Sequence, residues 1–477
     1  MLLRFSILYF IARLLPGIAN FFAIVLFTRL LNPQEYGQYA LVIAAVGLGN
    51  AVLFHWLRVA LLRYLPAYEG REPALLSTLF VSYAALAGLS VVIGLVGGWL
   101  WSDMLWSQFF VLGVALLVCQ AWFDVNLQLI RARLMPVLYG ILLMSKAMIG
   151  LAVGVFLAYL GWGAWGPLIG VTLGVLLPAV VLCSRYWVGV RWQLADRQAV
   201  KELFYYGMPL AVTFGLGLVI NSADRFLIGA LIGTDAAGQY AVGYDFAHQA
   251  IGMLMIAVNL AAAPLVIKGL ESEGEQVARQ RMESNAIALC GIGFPSAVGL
   301  AMVAPNVSAL FIGDEFQATA AILIPWIAVG ALLAGLKAFY FDLSFQLGKR
   351  TQQQVLVVVV AGVVNLALNL WWIPLFGLLG AAYATVVAYG VALYLSWLLG
   401  RRIFPVPLPM GQIGRIVLAT LGMIFVLLPV INQQGPVALL YQVVLGGVVY
   451  SLLILLMNVA NCRSHARRIA RRLGVGL

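Results

Sequence analysis

The chain has 477 residues, of which 64% are hydrophobic and only 9% are charged, and its formal net charge is +11. A soluble protein of this length has too large a surface to cover with so few polar side chains. The composition therefore excludes a water-soluble enzyme or binding domain and indicates a membrane protein that crosses the bilayer many times.

Apolar runs recur from end to end, and each is long enough to cross a bilayer as an α-helix of about 20 residues. The runs are continuous rather than alternating, which favours helices over a transmembrane barrel. We predict an all-α polytopic membrane protein with fourteen transmembrane helices. Their approximate ranges are 7–31, 38–62, 75–100, 105–130, 137–160, 164–184, 204–232, 238–267, 285–312, 318–346, 353–373, 376–399, 412–432 and 436–459.

A short repeat divides the chain. The tetrapeptide Gly-Gln-Tyr-Ala begins at Gly37 and again at Gly238, each time between two long apolar segments. Its place in two similar halves indicates an internal repeat. Because each half has six spans, the halves are expected to be parallel repeats with a substrate site between them. We predict an N-lobe over 1–203, a C-lobe over 204–400, and a final helix pair with a basic tail over 401–477.

The positions of lysine and arginine predict the orientation in the membrane, because cytoplasmic segments are enriched in both. With the N-terminus inside, all but seven of the 28 basic residues fall in inner segments and none falls in an outer turn. This pattern predicts cytoplasmic N- and C-termini. It also accounts for the net charge without nucleic acid as a partner.

Charged groups inside apolar spans are costly and usually face a cavity or a partner. In the N-lobe, such groups fall in the cytoplasmic half of the predicted spans. They are Arg13, His55, Arg58, Asp124 and Lys146. His55 and Arg58 lie three residues apart and share a helix face. Gln120, Asp124 and Gln128 make a polar stripe on another span.

These N-lobe residues predict a cationic cavity that receives a diphosphate, since arginine and lysine are the usual phosphate partners. Two alternatives stay open. Arg13 and Arg58 can instead extend to the membrane interface. Lys146 is predicted to lie too deep for that, and its alternative is a structural ion pair with Asp124.

The C-lobe has a second polar group, predicted to lie in the outer half of spans seven and eight. Its residues are Asn221, Asp224, Arg225, Tyr240, Tyr244, Asp245 and His248. They are candidates for binding sugar hydroxyls, with Arg225 as a cavity cation, or for carrying a coupling proton through Asp224, Asp245 and His248. The alternative is an Asp224–Arg225 or Asp245–Arg225 ion pair that locks the helices together.

Further lining candidates are Lys337 and Asp342 on span ten and Asn365 and Asn369 on span eleven. The two asparagines also suit hydrogen bonding between helices. The sequence has no phosphate-loop pattern, nucleophile elbow or zinc-protease motif, and its four cysteines lack metal-ligand spacing. We therefore predict a protein that is not an enzyme, with no cofactor and no metal.

The segment from Arg29 to Tyr39, RLLNPQEYGQY, resembles the R-x-L-x-P-x-E-Y-G-x-Y turn near the start of bacterial polysaccharide flippases of the Wzx type. These belong to the multidrug/oligosaccharidyl-lipid/polysaccharide (MOP) exporter superfamily. The layout of spans, short outer turns and a basic tail is also similar. The resemblance implies a MATE-like, V-shaped pair of six-helix lobes in the bacterial inner membrane.

The resemblance also implies a function. Such a protein moves undecaprenyl-diphosphate-linked oligosaccharides between leaflets by alternating access, for surface or exopolysaccharide such as O-antigen. The implied partners are this lipid-linked substrate, membrane lipids, H⁺ or Na⁺ as coupling ion, and a polysaccharide polymerase. Three alternatives stay open: a cation-coupled multidrug exporter, a lipid II-type flippase, and a scaffold of a synthase complex. The arginine–aspartate pattern of peptidoglycan-precursor flippases in span one is missing here.

Overall fold

The computed structural model describes residues 2–68, 70–100 and 103–463, with side chains from residue 15 onward except that of Asn221. The Arg13 side chain and the basic tail beyond residue 463 lie outside the described residues. Over the described ranges the chain is helical and contains no β-strand, which confirms the predicted all-α fold class.

Sixteen α-helices occur in the described residues. They are α1 (Leu2–Leu30), α2 (Pro33–Leu53), α3 (His55–Tyr64), α4 (Glu72–Leu100), α5 (Met104–Ala132), α6 (Pro136–Tyr159), α7 (Trp165–Cys183), α8 (Arg197–Leu231), α9 (Thr234–Ser272), α10 (Glu275–Phe311), α11 (Asp314–Leu336), α12 (Leu343–Leu347), α13 (Gln352–Phe376), α14 (Leu378–Gly400), α15 (Met410–Leu427) and α16 (Pro436–Leu456). A π-helical segment, Lys337–Phe341, joins α11 to α12.

In the described part of the chain, 13 helical segments are long and apolar enough to cross a membrane, and the shorter apolar helix Leu15–Leu30 belongs to α1. The protein is therefore a multi-pass membrane protein. The count of fourteen spans stays a prediction. One predicted span, 38–62, is not a single helix, because α2 ends at Leu53 and α3 starts at His55.

Packing divides the chain into two compact units, residues 1–241 and 242–477. In the first unit α8 packs against α2 and α3, through ring contacts such as that of Trp56 with Phe204. The segment between α7 and α8 is held on α4, where Ser77 Oγ accepts from the Arg191 backbone N–H at 3.0 Å. The predicted lobe limits follow the inner linkers instead, and they stay a prediction.

The turn before α2 explains much of the RLLNPQEYGQY segment. Asn32 is the N-cap: its Oδ1 accepts from the Glu35 backbone N–H at 2.9 Å, and Glu35 Oε2 accepts from the Asn32 N–H at 3.1 Å. This reciprocal capping box satisfies two backbone donors that a helix start leaves unpaired. Pro33 occupies the first turn, where its missing N–H costs nothing. The motif is thus a helix-start signal.

The two glycines of the repeated tetrapeptide meet where α2 and α9 begin. A Cβ atom on Gly37 would overlap the carbonyl oxygen of Thr234, and one on Gly238 would overlap that of Pro33. Pro33 and Thr234 are the first residues of their helices, and each glycine is the fifth. The contact is therefore reciprocal. Only glycine allows two backbones to approach so closely.

In the second unit, α15 and α16 pack against α10. Asn306 Nδ2 of α10 donates to Gln442 Oε1 of α16 at 3.1 Å, and its Oδ1 accepts from the Gly435 N–H at 3.0 Å. Tyr450 Oη also donates to the Gly291 carbonyl at 2.7 Å. The final helix pair is thus joined to its unit by hydrogen bonds between buried polar groups.

Candidate functional site

The first candidate site lies in unit 1, beside the break between α2 and α3. Phe54, which is 0% exposed, occupies the break. Asn50 lies one turn before it and His55 and Arg58 follow it, so that their side chains reach the same region. Arg58 donates through Nη2 to His55 Nδ1 at 2.6 Å. Because arginine has no acceptor, His55 Nδ1 must accept, and the proton of the neutral ring lies on Nε2.

Asp124 on α5 is the acceptor of this cluster. Its Oδ2 accepts from Arg58 Nη1 at 2.6 Å and from Asn50 Nδ2 at 2.8 Å. Its Oδ1 accepts from Gln120 Nε2 at 2.9 Å. The Arg58 and Asp124 side chains are each only 14% exposed. The Asp124 carboxylate thus has a charged partner and two amide donors, whereas Arg58 Nε and Asn50 Oδ1 are buried without a hydrogen-bond partner among the described residues.

Lys146 on α6 completes the cluster from the other side of Gln120. Its Nζ donates to Gln120 Oε1 at 3.0 Å and lies 5.2 Å from the centroid of the Phe123 ring. The open alternative for Lys146 was a direct ion pair with Asp124. In the structure the partner of Asp124 is Arg58, and the described residues include no carboxylate within salt-bridge distance of Lys146.

We call the residues joined in this way the Arg58–Lys146 cluster: Asn50, His55, Arg58, Gln120, Asp124 and Lys146. Two cations face one carboxylate, so the cluster has a surplus positive charge. Phe214 of α8 covers one side, with its ring stacked on His55 at 4.2 Å between centroids. Partial burial strengthens the field of that charge because the local dielectric is lower than that of water.

Helix packing fixes the position of Lys146. Along α6 and α7, glycines repeat at the crossing, and a Cβ on Gly174 would lie 2.6 Å from the Lys146 carbonyl oxygen. Lys146 lies ten residues after Pro136, where α6 begins, or about 15 Å along the helix axis at 1.5 Å per residue. We therefore expect Lys146 to lie near the middle of a hydrocarbon core of about 30 Å.

The second candidate group is brought together in part. Asp224 is 0% exposed, and its Oδ2 accepts from Tyr240 Oη at 2.7 Å. Tyr244 and His248 stack with centroids 5.3 Å apart. Arg225, Asp245 and His248 are half-buried and each has partners. The Asp224–Tyr240 hydrogen bond joins the predicted polar faces of spans seven and eight; the roles of these residues stay a prediction.

Lys337 lies in a separate network in unit 2. Asp342, 1% exposed, accepts from Lys337 Nζ at 2.8 Å, from Gln354 Nε2 at 3.0 Å and from Ser396 Oγ at 2.8 Å. Asn369 Nδ2 donates to Asn365 Oδ1 at 3.1 Å. Within its unit Lys337 therefore has a direct carboxylate partner, which Lys146 does not.

Asn50 and Phe214 are parts of the site that sequence reasoning did not single out. A polar Asn50 in an apolar span was a usable signal, since amides in spans form hydrogen bonds between helices. Phe214 gave no such sequence signal, because a single aromatic residue in an apolar run does not show which helix it faces. An apolar cavity of about 580 Å³ also lies among α2, α4, α5, α8 and the first residue of α9, and none of the predicted site residues lines it.

Solved structures with the same fold include a lipid flippase and MATE family transporters. The structure of "Lipid II flippase MurJ, inward closed conformation" matches with a TM-score of 0.80 at 14% identity, over 95% of this chain and 99% of that one. An inward-facing structure of a multidrug resistance MATE family transporter of the MOP superfamily matches with a TM-score of 0.58 at 13% identity, over 84% of this chain and 95% of that one. An outward-facing structure of a multidrug resistance MATE family transporter of the same superfamily matches with a TM-score of 0.57 at 14% identity, over 87% of this chain and 96% of that one.

The chain is thus a multi-pass membrane protein whose fold is that of the lipid II flippase MurJ and of MATE family transporters of the MOP superfamily. A family profile described as "Polysaccharide biosynthesis protein" matches residues 26–321, more than half of the chain. The chain therefore belongs to this polysaccharide biosynthesis protein family, which confirms the predicted family. A comparison with curated proteins finds no match.

Proposed function

We propose that the chain is a flippase that moves undecaprenyl-diphosphate-linked oligosaccharide repeat units across the bacterial inner membrane by alternating access. Its membership of a polysaccharide biosynthesis family supports a saccharide cargo. The observation that carries the proposal is the surplus positive charge of the Arg58–Lys146 cluster, formed by Lys146 and Arg58 against Asp124 alone. A diphosphate is the anion that two nearby cations at membrane depth suit best.

In this proposal Lys146 binds the diphosphate directly, and Arg58 and His55 form the polar wall beside it. Arg13 and Arg225 are further cationic contacts along the path. Asp224, Asp245 and His248 are the candidates for coupling to H⁺ or Na⁺. Surface or exopolysaccharide is the expected product, with membrane lipids and a polysaccharide polymerase as partners. The N- and C-termini lie in the cytoplasm.

A cation-coupled multidrug exporter is the second candidate, favoured by the MATE-like fold. That function needs a carboxylate able to receive a cationic drug. Asp124 and Asp342 each accept three side-chain hydrogen bonds, one of them from a cation. These two acids are therefore already compensated, which favours the anionic substrate. A lipid II-type flippase shares the diphosphate chemistry and differs only in its sugar.

Gene deletion with complementation tests the proposal in the bacterium that carries the gene. Deletion should trap lipid-linked repeat units on the cytoplasmic face and abolish surface polysaccharide. The unchanged gene should restore the polymer, Lys146→Met should not, and Lys349→Met is the matched control because Lys349 lies exposed in a turn. Normal polymer in the deletion strain would contradict the proposal. A gain in drug resistance on overexpression, without a polymer defect on deletion, would favour the exporter.

A further inference from the structure

Gln120 occupies a particular place in the Arg58–Lys146 cluster, between its acid and its second cation. Its Nε2 donates to Asp124 Oδ1 at 2.9 Å, and its Oε1 accepts from Lys146 Nζ at 3.0 Å. The orientation of the amide follows from its partners, because a carboxylate only accepts and an ammonium only donates. Gln120 thus holds both groups and keeps them apart.

The two sides of Gln120 differ in how far they are satisfied. Asp124 accepts from Arg58, Asn50 and Gln120. Lys146 has three N–H donors, and over the described residues its only hydrogen bond goes to Gln120. An amide oxygen orients the ammonium but carries no charge to neutralise it. Lys146 therefore has no carboxylate partner in the described residues and keeps two further donors.

Helix packing around Lys146 and Gln120 maintains the separation of Lys146 from Asp124. Lys146 is fixed in place by the close crossing of α6 and α7 at Gly174. Gln120 and Asp124 lie one turn apart on α5, on the same helix face. If position 120 held a short or apolar side chain, the flexible Lys146 stem could turn its ammonium to Asp124. The charge would then be neutralised inside the protein.

We propose that Gln120 is a positioning residue that keeps Lys146 separated from Asp124 and so available to the diphosphate of the substrate. This inference rests on the proposed function, because it takes a lipid diphosphate as the ligand. A purely structural amide bridge between α5 and α6 makes a different prediction. In that case Glu at position 120 would strengthen the contact with Lys146, weaken the one with Asp124, and leave ligand binding as it is.

The test measures lipid binding to the purified full-length chain in nanodiscs, with undecaprenyl diphosphate as probe and undecaprenol as the uncharged comparison. Gln120→Glu places a carboxylate directly on Lys146. We expect at least about a tenfold loss of affinity for the diphosphate, the usual effect of losing one charge-assisted hydrogen bond. Affinity for undecaprenol should not change. The midpoint of thermal unfolding should fall in the single variant, because a glutamate at position 120 has no N–H to donate to Asp124 Oδ1 and places a second carboxylate beside it. The midpoint should recover when Asp124→Asn is added, since the new amide at position 124 can donate to that glutamate.

Gln128→Glu is the matched control. Gln128 lies on the same stripe of α5, two turns beyond Gln120 and outside the cluster, and the new charge there should leave the preference for the diphosphate unchanged. The double variant Gln120→Glu with Asp124→Asn restores the net charge but leaves the acid against Lys146. It should stay as weak as the single variant. Recovery in the double variant would overturn the positioning role, because net charge alone would then decide binding.

Other outcomes separate this inference from the proposed function. If the unchanged protein prefers undecaprenyl diphosphate and Gln120→Glu keeps that preference, the role of Gln120 is wrong while the function stands. If the unchanged protein binds both lipids equally, the function itself is overturned. Should Gln120→Glu fail to fold, Gln120→Met serves instead. It should lose the preference as Lys146 turns to Asp124, and adding Asp124→Asn should restore it.

Discussion

A lysine inside a membrane span is stabilised by the groups to which its ammonium donates, and Lys146 and Lys337 differ in this respect. Lys337 donates to a carboxylate that is itself saturated, so its charge is compensated within unit 2. Lys146 donates to an amide. A charged residue at the centre of a span costs about 2.5–3.5 kcal/mol on insertion scales. Because no carboxylate in the described residues offsets this cost for Lys146, its presence is better explained by a role in function than by a contribution to stability.

This difference predicts that Lys337 serves stability. Lys337→Met alone would leave buried Asp342 without its cation and should lower the free energy of unfolding by about 3–5 kcal/mol. Adding Asp342→Asn removes the unpaired charge and should recover most of that loss. Thermal unfolding in detergent measures the stability, and polymer output measures function. A double variant that is stable but makes no polymer would instead support the predicted cavity role of Lys337.

At the residue scale, sequence alone identified several charged members of the first cluster but not its pairing. The spacing of His55 and Arg58, and that of Gln120 and Asp124, fixed which side chains share a helix face. It gave no information on which helices face each other. In the structure Asp124 pairs with Arg58 rather than with Lys146. This pairing follows from the packing of α5 beside α3, which the sequence does not show.

At the element scale, the helix starts at residues 33 and 234 show what the repeated tetrapeptide does. The sequence marked the repeat as a sign of equivalent places in two halves. In the structure its two glycines form the contact between α2 and α9, because each lies against the carbonyl of the first residue of the other helix. This was beyond sequence reasoning, because a glycine that makes a close crossing and one that merely lies in a span look alike.

Glycine substitutions test this crossing. Gly37→Ala or Gly238→Ala must push α2 and α9 apart, because the new Cβ meets backbone that cannot move aside. Overpacking of this kind costs about 1–3 kcal/mol, so the midpoint of thermal unfolding should fall. Gly47→Ala is the control on α2, since a Cβ there meets nothing within 4 Å. It should be neutral or stabilising by up to about 1 kcal/mol, the helix preference for alanine.

One result would contradict the role of this crossing: a Gly37→Ala variant as stable as Gly47→Ala. Combining Gly37→Ala with Gly238→Ala should cost less than the sum of the two single changes, because the crossing opens once for both.

At the scale of the whole molecule, hydropathy predicted the fold class because a bilayer requires long apolar helices with all backbone groups paired internally. It did not predict the helix break at Phe54 or the π-helical segment Lys337–Phe341. Neither Phe54 nor the segment Lys337–Phe341 contains a proline or glycine that would mark the interruption. Hydropathy also could not show that α8 packs against α2 and α3. It places the linker between the halves in the chain, but it does not show which helices contact each other.

The distribution of basic residues makes the last prediction, which concerns sidedness. Single cysteines can be placed in a version of the chain that lacks its four free cysteines. Trp162→Cys, in a predicted outer turn, should react with a membrane-impermeant maleimide in intact spheroplasts. Val188→Cys, in the basic inner segment after α7, should react only after the membrane is permeabilised. Both positions are exposed, at 52% and 81%, so sidedness rather than burial decides the labelling.

The same comparison in the second half tests whether both halves enter from one side. Glu315→Cys at the start of α11 should be labelled from outside, and Glu271→Cys near the end of α9 only from inside; both side chains are exposed. Six spans in each half give this agreement, because an even number returns the chain to its starting side. Opposite results in the two halves would mean inverted repeats. In that case the substrate path could not be placed between two parallel lobes. The Arg58–Lys146 cluster, which lies within unit 1, would be unaffected.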